Sequence, residues 1–566
     1  MQGSTTLLKG NGFRFDAKWI IIGVIVAFLL IFQVFPLLYL VFRSFFSTGT
    51  FSFDAFKRVY TYPLNWDALT NTLITASLSM VFGILIAFPL AWFVGRTNLY
   101  GKKFFRTLFV MTYMVPPYVG AMAWLRLLNP TVGNLNVFIQ NIFGLSSPPF
   151  NIYSIGGLVW VLTTFYYPYA FITISRAMEN MDPSLEEASR ISGSSPVKTL
   201  FTITMPMMAP SIVAAALLVF VSAASCYGIP SIIGAPGKIH TITTRIIDFV
   251  YIGSQEGLTD ATTLAVFLMI VANIVLYVST FVVGKKQYIT VSGKSTRPNI
   301  VDLGRWRIFF TIVISLFAFI IVILPFLTVA ATSITVNMGK GLTLDNITFS
   351  YWSRIFTRKA ILQSAGNSLS AAAIAATLGM IVSCTMAYFL IRTKVKGRRL
   401  PDFLITVGSG TPSVVIALGL IMTMSGKFGI NIYNTLSIMI IAYMIKYLLM
   451  GMRTVVSAMS QISPSLEEAS QISGAKWLRV FKDITIPLIV PSVVAGWFLI
   501  FMPSFYELTM STLLYSTNTK TIGYELYTYQ TYHSQQTASA LATAILIMVV
   551  FVNWLLNKLT AGKFSI

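Results

Sequence analysis

Runs of apolar residues long enough to cross a bilayer recur along this chain, each bounded by a short polar or basic stretch. About 20 residues of helix span roughly 30 Å of hydrocarbon. In lipid every backbone group must be paired internally, so such runs predict helices. Six fall in the first half, at about 19–42, 69–94, 105–128, 153–178, 210–227 and 261–283. Six more follow, at about 308–332, 368–391, 403–424, 434–456, 491–512 and 537–558. The run at 210–227 has the weakest edges, because Pro210 and the small residues Ala214 to Ala216 interrupt it. The pattern predicts an all-α, polytopic membrane protein of about twelve transmembrane helices. The first run is too long for a cleaved signal segment and lacks a clear cleavage site, so it is expected to remain as a helix.

The two sets of six are copies. Pro183-Ser-Leu-Glu-Glu-Ala-Ser-Arg-Ile-Ser-Gly193 recurs as Pro464-Ser-Leu-Glu-Glu-Ala-Ser-Gln-Ile-Ser-Gly474, an offset of 281. Over 183–213 and 464–494, 16 of 31 positions are identical. Upstream, Asn71-Thr-Leu matches Asn367-Ser-Leu, Arg96-Thr97 matches Arg392-Thr393 and Gly101 matches Gly397, all at an offset of 296. The first half therefore carries 15 extra residues, best placed in the segment 129–152, which is rich in Asn, Pro and Gly. With six spans each, both copies enter the membrane in the same direction, as parallel repeats related by an axis along the membrane normal. The expected divisions are an N-terminal segment (1–18), a first repeat (19–283), a basic linker (284–307), a second repeat (308–558) and a tail (559–566).

Composition agrees with this layout. The chain is 55% hydrophobic and only 10% charged, with a mean hydropathy of +0.76, which excludes an ordinary soluble domain. A net charge of +22 raises the prospect of nucleic acid, but its placement argues for topology instead. Arg96, Lys102, Lys103 and Arg106 share one loop; Lys285, Lys286, Lys294, Arg297, Arg305 and Arg307 share another; Arg392, Lys394, Lys396, Arg398 and Arg399 share a third. All three fall on one side of a twelve-span layout, and basic loops stay in the cytoplasm. The opposite segment 129–152 has no Lys or Arg. Both termini are then cytoplasmic. Cys226 and Cys384 are the only cysteines, so neither a disulfide framework nor a Cys-based metal site is expected.

The twin acidic segments predict short cytoplasmic helices. Asp182 or Ser463 can cap the first amides, and Pro183 or Pro464 suits a first turn. Glu186 and Glu187, or Glu467 and Glu468, lie near the positive end of the helix dipole. Leu185, Ala188 and Ile191 form an apolar side, repeated by Leu466, Ala469 and Ile472. Gly193 and Gly474 suit a left-handed exit. Such a helix can lie on lipid headgroups or in a groove of a partner protein. Its acidic first turn is a poor match for an anionic surface, and its repetition favours the groove.

Glu187-Ala188-Ser189, three residues, Gly193, nine residues and Ile203-Thr204-Met205-Pro206 resemble the EAA loop of ABC importer permeases. The second copy keeps that spacing through Glu468-Ala469-Ser470, Gly474 and Ile484-Thr485-Ile486-Pro487. Serine replaces the second alanine in both copies, and Met205 or Ile486 replaces leucine. The resemblance implies the type I ABC importer permease fold in the plasma (inner) membrane of a bacterium. It also implies coupling helices, at Glu186, Glu187, Ala188, Ser189, Gly193, Glu467, Glu468, Ala469, Ser470 and Gly474, that dock two copies of a separate ATPase. An extracytoplasmic solute-binding protein would deliver the cargo. The fused layout, Tyr288-Ile-Thr-Val-Ser-Gly-Lys294, Arg297-Pro298, Asp302-Leu-Gly-Arg-Trp306 and Glu507-Leu508 resemble the ferric-iron branch, whose relatives also carry thiamine or aminoethylphosphonate. Ferric iron is the expected cargo, with a phosphonate, thiamine or a polyamine as alternatives. Gly293-Lys294-Ser295 is not a phosphate-binding loop, because Tyr288 stands where that loop needs glycine. No cofactor is expected in this chain, ATP and Mg belonging to the partner. A major-facilitator-type secondary transporter is the rival of a different class; it needs intramembrane carboxylates that these spans almost lack.

Ionisable groups within the bilayer are functional candidates by default. Lys446 lies mid-span, either packed against helix carbonyls or facing a cavity, where it would attract an anion or pair with Glu507. Tyr166, Tyr167, Tyr506 and Glu507 offer hard oxygen donors suited to ferric ion, although tyrosine is also the usual residue of the interfacial aromatic belt. Glu507 aligns with Cys226, so the halves would present unlike groups to a central path. His240 and His533 are isolated, and no metal ligands are assigned.

Overall fold

The computed structural model describes residues 17–559 apart from 47–48, 180, 286–299, 341–342, 394, 396 and 476. The N-terminal segment through residue 16, most of the basic linker with its Tyr288–Lys294 and Arg297-Pro298 stretches, and the tail from residue 560 lie outside the described residues. In the first half, α1 (Ala17–Leu29) runs through a π-turn (Leu30–Val34) into α2 (Phe35–Phe45). Then come α3 (Asp54–Thr61), α4 (Pro63–Arg96), α5 (Lys102–Met111), α6 (Pro117–Leu128), α7 (Asn134–Phe143) and α8 (Ile155–Glu179). They are followed by α9 (Ser184–Ile191), α10 (Pro196–Thr199), α11 (Met205–Ala224), α12 (Ile242–Ile252) and α13 (Gln255–Lys285). The second half repeats the order. It has α14 (Arg307–Ala318), α15 (Leu324–Thr332), α16 (Ser350–Thr357), α17 (Lys359–Arg392), α18 (Arg399–Gly410), α19 (Ser413–Thr423) and α20 (Leu436–Ser460). It closes with α21 (Pro464–Ile472), α22 (Trp477–Val480), α23 (Ile486–Phe505), α24 (Thr509–Leu514), α25 (Ile522–Tyr532) and α26 (Gln535–Leu559). Among the described residues the only β pairing is three isolated bridges.

Among the described residues, ten helical segments are long and apolar enough to cross a membrane. The expected spans 105–128 and 403–424 differ: each is a pair of helices, bent by 105° between α5 and α6 and by 107° between α18 and α19. Proline is the cause. It lacks an amide proton and pushes the residue before it out of the helical region. Val115, before Pro116-Pro117, is extended (φ −83°, ψ 134°), and so is Thr411, before Pro412 (φ −70°, ψ 134°).

Each bent pair lies along a spanning helix, α5 and α6 against α8, and α18 and α19 against α20. Arg106, near the start of α5, pairs with Glu179 at the end of α8. At the far end of α6, Asn129 donates to the Tyr153 hydroxyl (3.0 Å) and Asn136 bridges the carbonyls of Leu128 (3.1 Å) and Phe150 (2.8 Å), just before α8 begins. The pair therefore runs between the two ends of the spanning helix α8. In the second half Arg453, towards the end of α20, pairs with Asp402 of α18 at 3.0 Å. Among the described residues there are thus ten spans, or up to twelve with each bent pair taken as one broken crossing.

The spanning helices of the two copies match, while α7 has no counterpart between α19 and α20. Helices α4 and α17 each have 34 residues, α8 and α20 have 25, and α11 and α23 have 20. Four π-turns fall two residues before a proline, at Leu30–Val34, Leu200–Thr204, Phe319–Ile323 and Phe481–Thr485, ahead of Pro36, Pro206, Pro325 and Pro487. A widened turn accommodates the ring and the missing donor without ending the helix. The weak-edged run at 210–227 belongs to a longer helical stretch, Pro196–Ala224.

In each half three helices pack together, α4 with α8 and α11, and α17 with α20 and α23. The backbones approach closely at small residues. A Cβ on Gly451 would lie 2.8 Å from both Ile500 and Met380. The first span of each half reaches across to the other: α2 packs on α19, and α15 packs on α6. The Gln33 amide fixes one of these crossings by donating to the Leu404 carbonyl at 2.6 Å.

Candidate functional sites: two acidic loops and a cavity between the halves

The acidic segments fold as two capped helices, α9 and α21. Asp182 Oδ1 accepts the Ser184 amide at 2.9 Å, and this amide holds the Asp182 carboxyl below its ordinary range. Ser463 Oγ accepts the Ser465 amide at 3.4 Å. Each helix ends in the same way. The amide of Ser194 reaches Ser189 O (3.1 Å) and that of Ala475 reaches Ser470 O (3.1 Å). Gly193 (φ 86°) and Gly474 (φ 88°) supply the left-handed turn this geometry requires.

The two glutamates of each pair separate. Adjacent helical residues point about 100° apart, and here the first turns inward and the second outward. Glu186 is buried: Oε1 accepts the Thr204 hydroxyl at 2.6 Å, and Oε2 lies 3.7 Å from Arg96 Nε. Arg96 closes α4, and its Nη2 donates to Met178 O (2.7 Å) and Met181 O (3.5 Å) at the end of α8. The second copy repeats this. Arg392 Nε donates to Glu467 Oε1 at 2.9 Å, its Nη2 donates to Met459 O (3.1 Å) and Ile462 O (2.7 Å), and the Thr485 hydroxyl donates to Glu467 Oε1 at 3.0 Å. One carboxylate thus ties a loop helix to the ends of three spans. Glu186 and Glu467 are not on the outer face of their helices, which is what a partner would meet.

That outer face is apolar with an acidic edge. Leu185 is 48% exposed and Ile191 87%; Leu466 is 49% and Ile472 87%. Ala188, Ala469, Glu187 and Glu468 are exposed beside them. Ser189 sits lower, its hydroxyl 3.0 Å from that of Thr199, and Ser470 is half-buried like it. Arg96, Arg392, Thr204 and Thr485 were not among the sequence candidates, because the arginines read simply as basic loop charges. Their signal was available: all four recur at equivalent places in the two copies.

A cavity of about 370 Å³ lies between the halves. Five of the six path candidates line it: Lys446, Glu507, Tyr506, Tyr166 and Cys226. Tyr167 does not. It is fully buried on another face of α8, with its ring near Phe109 (6.4 Å) and Phe317 (6.4 Å). The wall also contains Tyr113, Tyr118, Tyr169, Tyr227 and Tyr447, none of which stands out by hydropathy.

Lys446 and Glu507 do not pair with each other. Lys446 Nζ donates to Ser409 O (3.0 Å) and Thr411 O (2.8 Å), the carbonyls freed where α18 breaks before Pro412. Glu507 Oε2 accepts the amides of Met510 (2.8 Å) and Ser511 (3.0 Å) at the start of α24. Each charge is therefore held by a helix end of opposite polarity. The halves are joined here by Tyr118, whose hydroxyl donates to Tyr506 O at 3.1 Å. Among the described residues no three His, Cys, Asp or Glu are grouped to hold a metal.

Comparison with known proteins accords with this architecture. The profile of the family described as binding-protein-dependent transport system inner membrane component matches twice, at residues 83–287 and 379–562. A ferric transport system permease protein of Actinobacillus pleuropneumoniae is 26% identical over 486 residues, covering 84% of this chain and 69% of its own. An Fe(3+)-transport system permease protein of Haemophilus influenzae is 26% identical over 502 residues, covering 86% and 87%. A chain from the crystal structure of a bacterial alginate ABC transporter, in complex with a periplasmic protein bound to an alginate pentasaccharide, is 20% identical over 49% of this chain and 97% of its own, with a TM-score of 0.40. With both halves matched by the family profile, the chain belongs to the binding-protein-dependent transport system inner membrane components, as a fused two-copy permease of an ABC importer.

Proposed function

We propose that this permease imports ferric iron, driven by two copies of a separate ATPase docked on α9 and α21. The observation that carries the docking is the pair of matched helices with an exposed apolar face. In a soluble setting such faces turn inward; here each helix is anchored by a buried glutamate that leaves the apolar side outward. An apolar helix face with an acidic edge suits a groove in a partner. Glu187, Ala188, Glu468 and Ala469 would meet that partner, with Leu185, Ile191, Leu466 and Ile472. Ser189, Gly193, Ser470 and Gly474 shape the helix, while Glu186 and Glu467 position it.

Orientation follows from charge. Arg96, Lys102, Lys103, Arg106, Arg392, Arg398 and Arg399 flank the spans on the loop side, whereas 129–152 on the far side has no Lys or Arg. Basic loops mark the cytoplasm, so the loops and both termini would be cytoplasmic. The repeats then comprise 19–283 and 308–558, joined by the linker 284–307. An extracytoplasmic binding protein would release cargo to the far side. Rocking of the halves about the cavity would alternate its access, with Lys446, Glu507, Tyr506, Tyr166 and Cys226 along the path.

Ferric iron is favoured by the resemblance to ferric transport permeases and by the phenolic oxygens around the cavity, which are hard donors. The cation at Lys446 favours cargo that travels as an anion, such as chelated iron or a phosphonate. The test is ATP hydrolysis by the reconstituted complex with binding protein carrying each candidate solute. Stimulation by the ferric-loaded protein alone is the expected result; stimulation only by phosphonate, thiamine or polyamine replaces the cargo and keeps the mechanism.

A further inference from the structure

Arg126 stands near the end of α6, on the side away from the acidic loops, and is 7% exposed. Its Nη1 donates to Gln535 Oε1 at 2.5 Å and its Nη2 to Gln530 Oε1 at 3.0 Å. Both partners are neutral, and Nε has no partner. Among the described residues no carboxylate lies within ion-pairing distance of it. The buried arginine side chains of Arg96 and Arg392, by contrast, face Glu186 and Glu467. A buried guanidinium without a counter-charge is costly, so the site calls for an anion. Position 126 corresponds to Met422 in the second half, so the duplication does not demand an arginine there.

Arg126 lines a cavity of about 320 Å³ separate from the one between Lys446 and Glu507. Its other walls include Leu125, Val132, Leu327, Ala331 and Met338. Three threonines in the wall have committed their hydroxyl protons to backbone carbonyls, Thr328 to Leu324 O (2.8 Å), Thr332 to Thr328 O (2.8 Å) and Thr335 to Thr332 O (3.2 Å), and Asn134 is a further polar side chain there. The cavity lies beside an exposed apolar surface: Leu327, on the spanning helix α15, is 54% exposed, and Val132 is 43% exposed. Helix α7 begins at the same wall and exposes Phe138, Ile142 and Phe143. A mostly apolar cavity at the end of a span, with one unneutralised cation in its wall and an exposed apolar surface beside it, fits a molecule that is anionic at one end and apolar at the other.

We propose that this cavity binds the phosphodiester group of an anionic phospholipid, with Arg126 supplying the charge and α7 and α15 flanking the acyl chains. Because Gln530 and Gln535 belong to the second half and α6 to the first, the lipid would sit on the seam between them.

Native mass spectrometry of the full chain in detergent tests this, with phosphatidylglycerol, phosphatidylcholine and inorganic phosphate titrated separately. Wild type is expected to retain one phosphatidylglycerol in preference to phosphatidylcholine. Arg126→Gln should weaken this about tenfold, as loss of a charge-assisted contact does. Ala331→Trp, which fills the cavity and keeps Arg126 with its glutamines, should weaken it as well, and it serves alone if Arg126→Gln does not fold. Unchanged retention in a folded variant overturns the site. Phosphate binding with no preference between the lipids overturns the lipid as its source.

Discussion

In an Arg392→Met variant the midpoint of thermal unfolding falls, and the ATPase no longer assembles on the second half. Arg392 and Glu467 are both buried, with side chains 8% and 7% exposed. Removing one partner of such a pair leaves a buried charge uncompensated, at a cost of roughly 3–5 kcal/mol. Arg392 also holds the carbonyls of Met459 and Ile462, so the same change loosens the end of α20 just before α21 begins. Adding Glu467→Met removes the orphaned charge and should recover most of the midpoint, because an apolar replacement of a whole buried pair is often neutral. ATPase assembly should recover less, since the tie between loop and spans is still missing. An unchanged midpoint in Arg392→Met contradicts the pair. Full recovery of assembly in the double variant would make it a matter of stability alone.

A second large effect is expected from Ile191→Asp combined with Ile472→Asp. Both isoleucines are 87% exposed in the isolated chain, so folding should be unaffected and the unfolding midpoint unchanged. In the complex each would lie in the partner's groove, where an unpaired carboxylate is strongly disfavoured. Burying one isoleucine contributes about 1.5–3 kcal/mol, so losing two should reduce copurifying ATPase by at least about 100-fold. The single variants should each cost less. Wild-type recovery of ATPase with the double variant would show that these faces do not dock it.

Much of this architecture was legible in the apolar pattern, because a bilayer imposes length and internal hydrogen bonding on every crossing. Hydropathy does not register backbone direction, so the breaks at Pro116-Pro117 and Pro412 were hidden inside runs that look continuous. The acidic helices show a different ambiguity. Pro183, Glu186 and Ser189 share one side of α9, and Leu185, Ala188 and Ile191 share the other. Periodicity gives both sides but not which of them faces the protein. The usual expectation turns apolar residues inward, and Arg96 reverses it by making the glutamate side the buried one. Tyr166 and Tyr167 differ for the same geometric reason, as neighbours on α8 that face the cavity and the helix core respectively. Lys446 is packed against helix carbonyls and also stands in the cavity wall, without pairing with Glu507. Only the break in α18, invisible to hydropathy, supplies those carbonyls.

The coupling of both loops to a separate ATPase is tested most directly by photo-crosslinking. A photoreactive residue would be placed at Ile191, at Ile472 or, as a far-side control, at Phe138, in membranes containing the full complex. ATPase adducts are expected from both loop positions, altered in yield when ATP is bound, and none from Phe138. Absence of ATPase adducts at Ile191 and Ile472 in a complex that still hydrolyses ATP would contradict the coupling.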